Sequence, residues 1–308
     1  MTNVLVTGGT GFLGLNLVKA LNDKGHFVSV IGRDTNRIQS LFGGSVRSIQ
    51  WNPLESGTWT SEMGRHSVVV HLAGEPAVGR RLNEALRRSI RNSRVRSTRR
   101  IVDAMGQSET KPEVFLCASA VGYYGDAGPG GPVDESSPLG SGFLAELCHE
   151  WESAALQAEF FGVRVVLLRF GIVLGANGGA LGRLLPLFRL GLGGRLGRGQ
   201  QPMPWVSMDD AVAAIQFCAT NSAVRGPVNV VSPNVVTNAR FTRELSSALQ
   251  RPALLNVPAI ALKLALGDGA APLLEGREVR PAVLMREGFE FKYPDLNLAL
   301  ASAIARSR

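Results

Sequence analysis

Three glycines near the N-terminus, Gly8, Gly11 and Gly14, have the spacing that a dinucleotide-binding turn requires. An apolar run at 4–6 precedes them, and leucines at helical spacing follow. Where a strand passes through such a turn into a helix, Gly8 forms the turn, Gly11 lets the backbone approach a pyrophosphate, and Gly14 lets helix and strand pack closely. The helix N-terminus adds unpaired N–H groups and the positive end of a dipole. The pattern therefore predicts a dinucleotide site rather than a plain glycine-rich turn.

The residues after the second predicted strand, 27–31, bear on the choice of cofactor. An acidic residue here, about twenty positions past the glycine turn, accepts hydrogen bonds from the adenine ribose of NAD. This chain has Gly32, Arg33 and Asp34 at that place. Gly32 cannot repel a phosphate and Arg33 can pair with a 2′-phosphate, which favours NADP(H). The alternatives are that Asp34 serves NAD(H) and that Arg33 is an ordinary surface charge.

Length and composition indicate a globular protein with a large core. The chain has 308 residues, of which 45% are hydrophobic and 19% charged. No basic segment followed by an apolar one stands at the start, and no apolar run is long enough to span a bilayer, so we expect a cytoplasmic protein without a membrane partner. The cysteines, Cys117, Cys148 and Cys218, are widely spaced and form no CxxC pair, so neither a disulfide framework nor a metal site is expected.

The net charge of +8 raises the question of nucleic acid as a partner. The densest basic stretch, 87–100, contains no interleaved aromatic residues and matches no nucleic-acid reader motif. Its apolar residues recur at helical spacing, which predicts a helix with most arginines on its solvated face. No nucleic-acid partner is therefore expected.

Strand and helix patterns alternate along the first half of the chain. Apolar strands alternating with helices are typical of a doubly wound parallel sheet of the Rossmann type. We expect a dinucleotide-binding domain over 1–220, to which 228–250 returns. After about Gly171 the pattern becomes irregular and rich in Gly and Pro, so segments within 171–308 are expected to form a smaller substrate-side lobe.

Motifs spread over the whole chain resemble those of a known superfamily. They lie at 7–14, 71–76, 119–125, 168–175 and 205–210. Together they resemble the extended short-chain dehydrogenase/reductases, in the subgroup labelled NAD-dependent epimerase/dehydratase family proteins or cell-division-inhibitor-like proteins. Residues 255–303 resemble that subgroup's C-terminal domain of unknown function. The resemblance implies a Rossmann fold and a nicotinamide cofactor, but a fold does not determine a reaction.

The expected cofactor contacts come from the glycine turn, from Arg33 and from the ends of later strands. They are Gly8, Thr10, Gly11, Phe12, Leu13, Gly14, Arg33, Leu72, Ala73, Gly74, Ser119, Arg169 and Gly171. Arg169 follows a buried strand and either holds phosphate or substrate or is a paired structural arginine. In the glycine-rich segment 191–200, Arg195 and Arg198 either meet an anionic substrate or belong to a flexible surface loop.

The proton relay that the resemblance implies is missing from this chain. It needs a tyrosine four residues before a lysine, because the tyrosine passes a proton while the lysine holds the ribose and lowers the tyrosine pKa. Ala127, Gly128 and Asn297 stand four positions after the three tyrosines, Tyr123, Tyr124 and Tyr293. The helix that would carry the pair has Phe143 or Leu144 in place of the tyrosine and Leu147 or Cys148 in place of the lysine.

Three residues are candidates to replace the missing relay. Tyr123 is the first choice because it follows a strand end, Glu75 is the second and Cys148 is the third. The alternatives are that Tyr123 is a hydrogen-bonded hydroxyl of the loop and that Cys148 is a small packed residue. Two functions stay open. One is an NADP-dependent oxidoreductase or epimerase with an atypical active site, acting on an unknown small molecule. The other is a catalytically silent NADP(H)-binding sensor or regulator. Relatives often dimerise through helices, so a homodimer is also possible.

Overall fold

The computed structural model describes residues 1–53, 55, 57–77, 79–125 and 131–306. The strands are β1 (Asn3–Thr7), β2 (Phe27–Gly32), β3 (Arg47–Gln50), β4 (Val68–His71), β5 (Val114–Ala120), β6 (Arg164–Phe170), β7 (Ile172–Leu174), β8 (Pro202–Met203), β9 (Trp205–Ser207), β10 (Gly226–Val230) and β11 (Val236–Thr237). The helices are α1 (Phe12–Asp23), α2 (Thr35–Phe42), α3 (Glu84–Arg91), α4 (Ser97–Gln107), α5 (Phe143–Leu156), α6 (Gly179–Arg189), α7 (Met208–Thr220), α8 (Asn238–Leu249), α9 (Ala259–Leu266), α10 (Ala271–Leu274), α11 (Ala282–Arg286) and α12 (Leu296–Ala305).

A seven-stranded parallel sheet forms the centre of the molecule, which confirms the predicted fold. Its order is β3-β2-β1-β4-β5-β6-β10. The central strands are apolar along nearly their whole length because helices cover both faces of the sheet. α1 and α7 pack on one face, and α4 and α5 on the other. The strand order reverses between β1 and β4, and ligands of such sheets bind in the crevice at that point, beyond the carboxyl ends of the strands.

The arginine-rich segment differs from the single helix that its spacing predicts. It consists of α3, one π-helical turn at Asn92–Arg96, and α4. The extra residue in the π turn rotates the faces of the helix, and Arg94 is turned inward. Its guanidinium lies 5.2 Å from the Trp151 ring centroid and donates a hydrogen bond of 2.7 Å to the Glu75 carbonyl oxygen.

The later segments form a smaller lobe beside the sheet. β7 pairs with β9 and β8 pairs with β11, and α6, α8 and α12 share one hydrophobic cluster. Asp210, on α7, ties the C-terminal segment to the sheet domain, because its carboxylate accepts the backbone N–H groups of Lys292 and Tyr293. β10 belongs to the main sheet, whereas α8 packs in the smaller lobe. No helix in the described ranges is long and apolar enough to cross a membrane.

Candidate cofactor and active site

The glycine turn between β1 and α1 is packed against the end of β4. Gly8 has φ +70°, and a Cβ there would lie 2.8 Å from the Ala73 backbone nitrogen. A Cβ on Gly14 would lie 2.2 Å from the Gly8 carbonyl oxygen. Both distances are too short for any side chain, so these two glycines are required by the packing of the turn itself.

Gly11 differs from its two neighbours in the motif. Its φ of −83° suits any residue, and the described neighbour nearest to an added Cβ is the Gly8 carbonyl oxygen at 3.1 Å. Gly11 is the exposed N-cap of α1, and no side chain caps that helix among the described residues. The first-turn N–H groups are therefore open to an anion, as a pyrophosphate-binding turn requires.

Phe12 directs its side chain away from this opening. Its ring fills a slot made by three glycines, Gly175, Gly178 and Gly179, where an added Cβ would lie 2.9, 2.5 and 2.7 Å from the ring. The slot holds α1 against the smaller lobe. If Phe12 contacts the cofactor, as the sequence predicts, it does so through its backbone N–H and not through its ring.

A buried histidine joins the ends of β1 and β4 beneath the turn. His71 Nδ1 lies 2.6 Å from Thr7 Oγ1, which also accepts a 3.3 Å hydrogen bond from the Ala73 N–H. Burial lowers the pKa of His71 to about 3. The imidazole is therefore neutral at physiological pH, and it holds the backbone at the expected cofactor contacts Leu72 and Ala73 in place.

Protein stability should fall as the pH drops from 6.5 towards 3, because the unfolded chain then binds a proton at His71 that the folded chain does not. The contribution of this group is complete above pH 6.5, and its slope below is about 1.4 kcal/mol per pH unit. Urea unfolding between pH 4 and 7.5 measures the effect. His71→Gln should flatten the slope, and a residual slope from His66, whose pKa burial also lowers, should remain. Identical slopes in parent and variant would show that His71 is not the responsible group.

Arg33 and Asp34 have different surroundings at the end of β2. Asp34 is the N-cap of α2, and its carboxylate accepts the Arg37 backbone N–H at 3.0 Å. Arg33 is exposed, and its guanidinium has no hydrogen bond or ion pair within the described part of the chain. The Asp34 carboxylate is thus engaged in capping α2, while the Arg33 guanidinium remains available to a phosphate.

A buried polar network lies at the carboxyl ends of β5 and β6. Arg169 binds the Glu152 carboxylate through Nε at 2.8 Å and Nη2 at 2.7 Å. Ser119 donates to the same carboxylate at 2.6 Å. Arg169 Nη1 also donates to the Tyr124 hydroxyl at 3.0 Å, and that hydroxyl donates to Asn229 at 2.8 Å. These contacts favour the alternative interpretation of Arg169 as a paired structural arginine, and they engage the Ser119 hydroxyl inside the protein.

Removing one member of this pair should destabilise the protein strongly. The Arg169 and Glu152 side chains are only 3% and 6% exposed, so Glu152→Gln leaves a buried cation without its counter-charge. We expect a loss of about 3–5 kcal/mol in the free energy of unfolding by urea denaturation. The surface variant Glu278→Gln, which breaks an exposed pair with Arg280, is the control and should cost under about 1 kcal/mol. Equal costs for the two variants would contradict a structural role for the buried pair.

Two of the three candidate catalytic groups are in surroundings unsuited to donating a proton. Cys148 is buried against the Ala120 carbonyl, and burial raises its pKa to about 12, so it is a packed, protonated thiol. The Glu75 carboxylate accepts hydrogen bonds from Ser89 and Arg80, which lower its pKa and keep it ionised. Glu75 is thus held towards α3 and cannot donate a proton. These placements weigh against the second and third choices made from the sequence and favour the first.

Tyr123 is held in position while its hydroxyl remains available. Its ring centroid lies 3.4 Å from the Arg169 guanidinium carbon and 5.5 Å from the Tyr124 ring. Within the described residues the Tyr123 hydroxyl makes no hydrogen bond; residues 126–130 lie outside them. The Tyr124 hydroxyl is fully engaged, and burial raises its pKa to about 12. Of these two phenols, Tyr123 is the one free to meet a ligand.

Sequence reasoning missed Glu152, His71 and Arg94 as parts of the site. Arg169 at the end of a buried strand is a signal for Glu152, because a buried guanidinium needs a carboxylate partner. His71 ends the apolar run 68–70 and could have been found as a buried strand-end histidine. The inward turn of Arg94 depends on the π turn, for which the sequence has no signal.

Two protein-family models match this chain, one over most of its length and one near its C-terminal end. Residues 4–231 match the NAD dependent epimerase/dehydratase family. The chain belongs to this family. Residues 257–303 match the domain of unknown function DUF1731, so the resemblance inferred from the motifs is confirmed in both parts.

Individual relatives agree with this membership. The chain is 40% identical to the chloroplastic epimerase family protein SDR39U1 homolog of Arabidopsis thaliana, over 96% of this chain and 85% of the relative. It is 38% identical to the epimerase family protein ML0860 of Mycobacterium leprae, over 98% and 96%. Among solved structures, human epimerase family protein SDR39U1 with NADPH superposes with a TM-score of 0.86 at 32% identity, covering 98% of this chain and 99% of that one.

Proposed function

We propose that this epimerase-family protein binds NADP(H) at the β1–α1 turn and uses it in oxidoreduction or epimerisation of a small molecule. The observation that carries the proposal is the contrast within the glycine motif. Gly8 and Gly14 are required by internal packing, whereas Gly11 faces an open, uncapped helix N-terminus. A glycine at such a place leaves room for an external pyrophosphate. The NADPH in the related human structure supports the same cofactor class.

Arg33 should make this protein prefer NADPH to NADH. A charge-assisted hydrogen bond to the 2′-phosphate contributes roughly 1.5–3 kcal/mol, or about tenfold or more in affinity. Arg33→Ala should remove most of that preference and leave NADH affinity nearly unchanged, as measured by calorimetric titration of both cofactors. Equal affinities of the unaltered protein for NADPH and NADH would indicate that Asp34, and not Arg33, contacts the adenine ribose.

Tyr123 is our candidate for the proton donor. Bound NADP(H) supplies or accepts the hydride, and the Tyr123 hydroxyl exchanges a proton with the reacting oxygen of the substrate. The stacked Arg169 guanidinium, itself clamped by Glu152, fixes the plane of the phenol ring. Carboxyl ends of strands are where this fold carries its chemistry, and Tyr123 follows the end of β5.

The missing Tyr-x-x-x-Lys pair favours a second function, that of a nucleotide-binding sensor or regulator. Leu147 or Cys148 stands where the lysine is expected, and both are buried and uncharged, so no cation from that position reaches the nicotinamide ribose. Turnover separates the two functions. Protein with NADPH is offered a panel of carbonyl compounds and nucleotide sugars while absorbance of the reduced nicotinamide is followed. Consumption of NADPH supports the enzyme, and tight NADPH binding without turnover across the panel favours the sensor.

A further inference from the structure

Large apolar side chains are exposed on one part of the smaller lobe. Leu190, at the end of α6, is 73% exposed, and Leu254 is 81% exposed. Ile260 and Leu264, one turn apart on α9, are 73% and 75% exposed. Concentrated exposed apolar surface marks an interaction site more often than scattered single residues do.

The backbone brings these residues together. Gly191 lies against Pro252, Leu192 pairs with Ala253, and Leu196 pairs with Val257. α9 begins two residues after that second bridge. The end of α6, the segments 190–196 and 252–257, and α9 therefore form one continuous surface, called here the leucine surface.

The chain segments that form the leucine surface carry charge of one sign. The sequence has no Asp or Glu from 160 to 208 or from 245 to 267. Exposed cations occur in the same segments, among them Arg195, Arg251 and Lys263. The two acids that flank the segment 245–267 are paired with cations: Glu244 binds Arg240 and Asp268 binds Arg87.

We propose that the leucine surface docks on an anionic phospholipid bilayer. Apolar side chains can enter the boundary between headgroups and acyl chains while flanking cations bind the headgroup phosphates. A second copy of this chain would place like charges opposite one another, which opposes self-association through this surface. No membrane partner was expected from the sequence because it has no segment long enough to span a bilayer. A protein that docks on the bilayer surface needs no such segment.

Sedimentation of the full chain with lipid vesicles tests the proposal. Vesicles of phosphatidylcholine with about thirty per cent phosphatidylglycerol should bind the protein, and pure phosphatidylcholine should bind it at least about tenfold more weakly. Leu254→Asp with Leu264→Asp should reduce binding to the anionic vesicles by a similar factor. Arg251→Glu with Lys263→Glu should remove the preference for anionic lipid. Phe160→Asp is the matched control, because Phe160 is 81% exposed outside the leucine surface and its loss should change nothing.

Each other outcome overturns the proposal. If the protein binds no vesicles, or binds neutral and anionic vesicles equally, the leucine surface does not dock on an anionic bilayer. A concentration-dependent dimer that Leu254→Asp dissociates assigns the surface to a second copy instead. NADPH titration of every variant separates loss of docking from misfolding, since the leucine surface includes none of the expected cofactor contacts.

Discussion

Replacing Gly11 by valine should abolish NADPH binding and leave the fold intact. The valine side chain would occupy the space in front of the first-turn N–H groups of α1, where a pyrophosphate must approach the backbone. Losing two charge-assisted hydrogen bonds costs about 3–6 kcal/mol, which weakens binding by about a hundredfold or more. Calorimetric titration with NADPH measures the loss. Thermal unfolding of the cofactor-free variant should show only a small decrease in Tm, because Gly11 has an ordinary φ and only the Gly8 carbonyl oxygen, 3.1 Å from an added Cβ, has to shift.

Gly14→Ala is the contrasting variant. Its added methyl group would lie 2.2 Å from the Gly8 carbonyl oxygen, so the turn must shift and the cofactor-free protein should lose stability. The two variants thus separate the glycine that serves packing from the one that serves the ligand. Retention of parental NADPH affinity by Gly11→Val would show that the dinucleotide does not bind at this turn.

Once a substrate is found, Tyr123→Phe should slow turnover by about a hundredfold to ten-thousandfold, the range typical of general acid–base catalysis. Phenylalanine keeps the ring against Arg169 and removes only the hydroxyl, so NADPH affinity should be unchanged. Single-turnover measurement of nicotinamide absorbance reads the chemical step directly.

Tyr124→Phe is the matched control for this experiment. It removes a hydroxyl that binds Asn229 and Arg169 in the interior, so it should lower stability more than Tyr123→Phe does. A Tyr123→Phe enzyme of parental rate would leave Tyr123 as loop structure and assign proton transfer to bound water.

The sheet and the cofactor turn could be predicted because their signals are local. Apolar strands, a glycine triplet and helical leucine spacing each lie within a few consecutive residues. The break in the arginine-rich helix was not predictable, because a π turn depends on how Arg94 packs against Trp151 and Gly74 rather than on local propensity.

The site was harder to predict because its side chains meet across distant segments. Arg169 and Glu152 lie on different elements, and only their contact shows that the arginine is already paired. The availability of Tyr123 likewise follows from its contrast with Tyr124, an adjacent residue of the same type. Residue type suggested both Cys148 and Glu75 as catalytic groups. Their protonation states depend on their surroundings: burial keeps the Cys148 thiol protonated, and two hydrogen-bond donors keep the Glu75 carboxylate ionised.

A crystal structure of this protein with NADPH tests the central claim most directly. The account predicts the pyrophosphate on the N–H groups at the start of α1, the 2′-phosphate beside Arg33, and the Tyr123 hydroxyl facing the nicotinamide. NADPH bound away from the β1–α1 turn, or a 2′-phosphate directed away from Arg33, would contradict it.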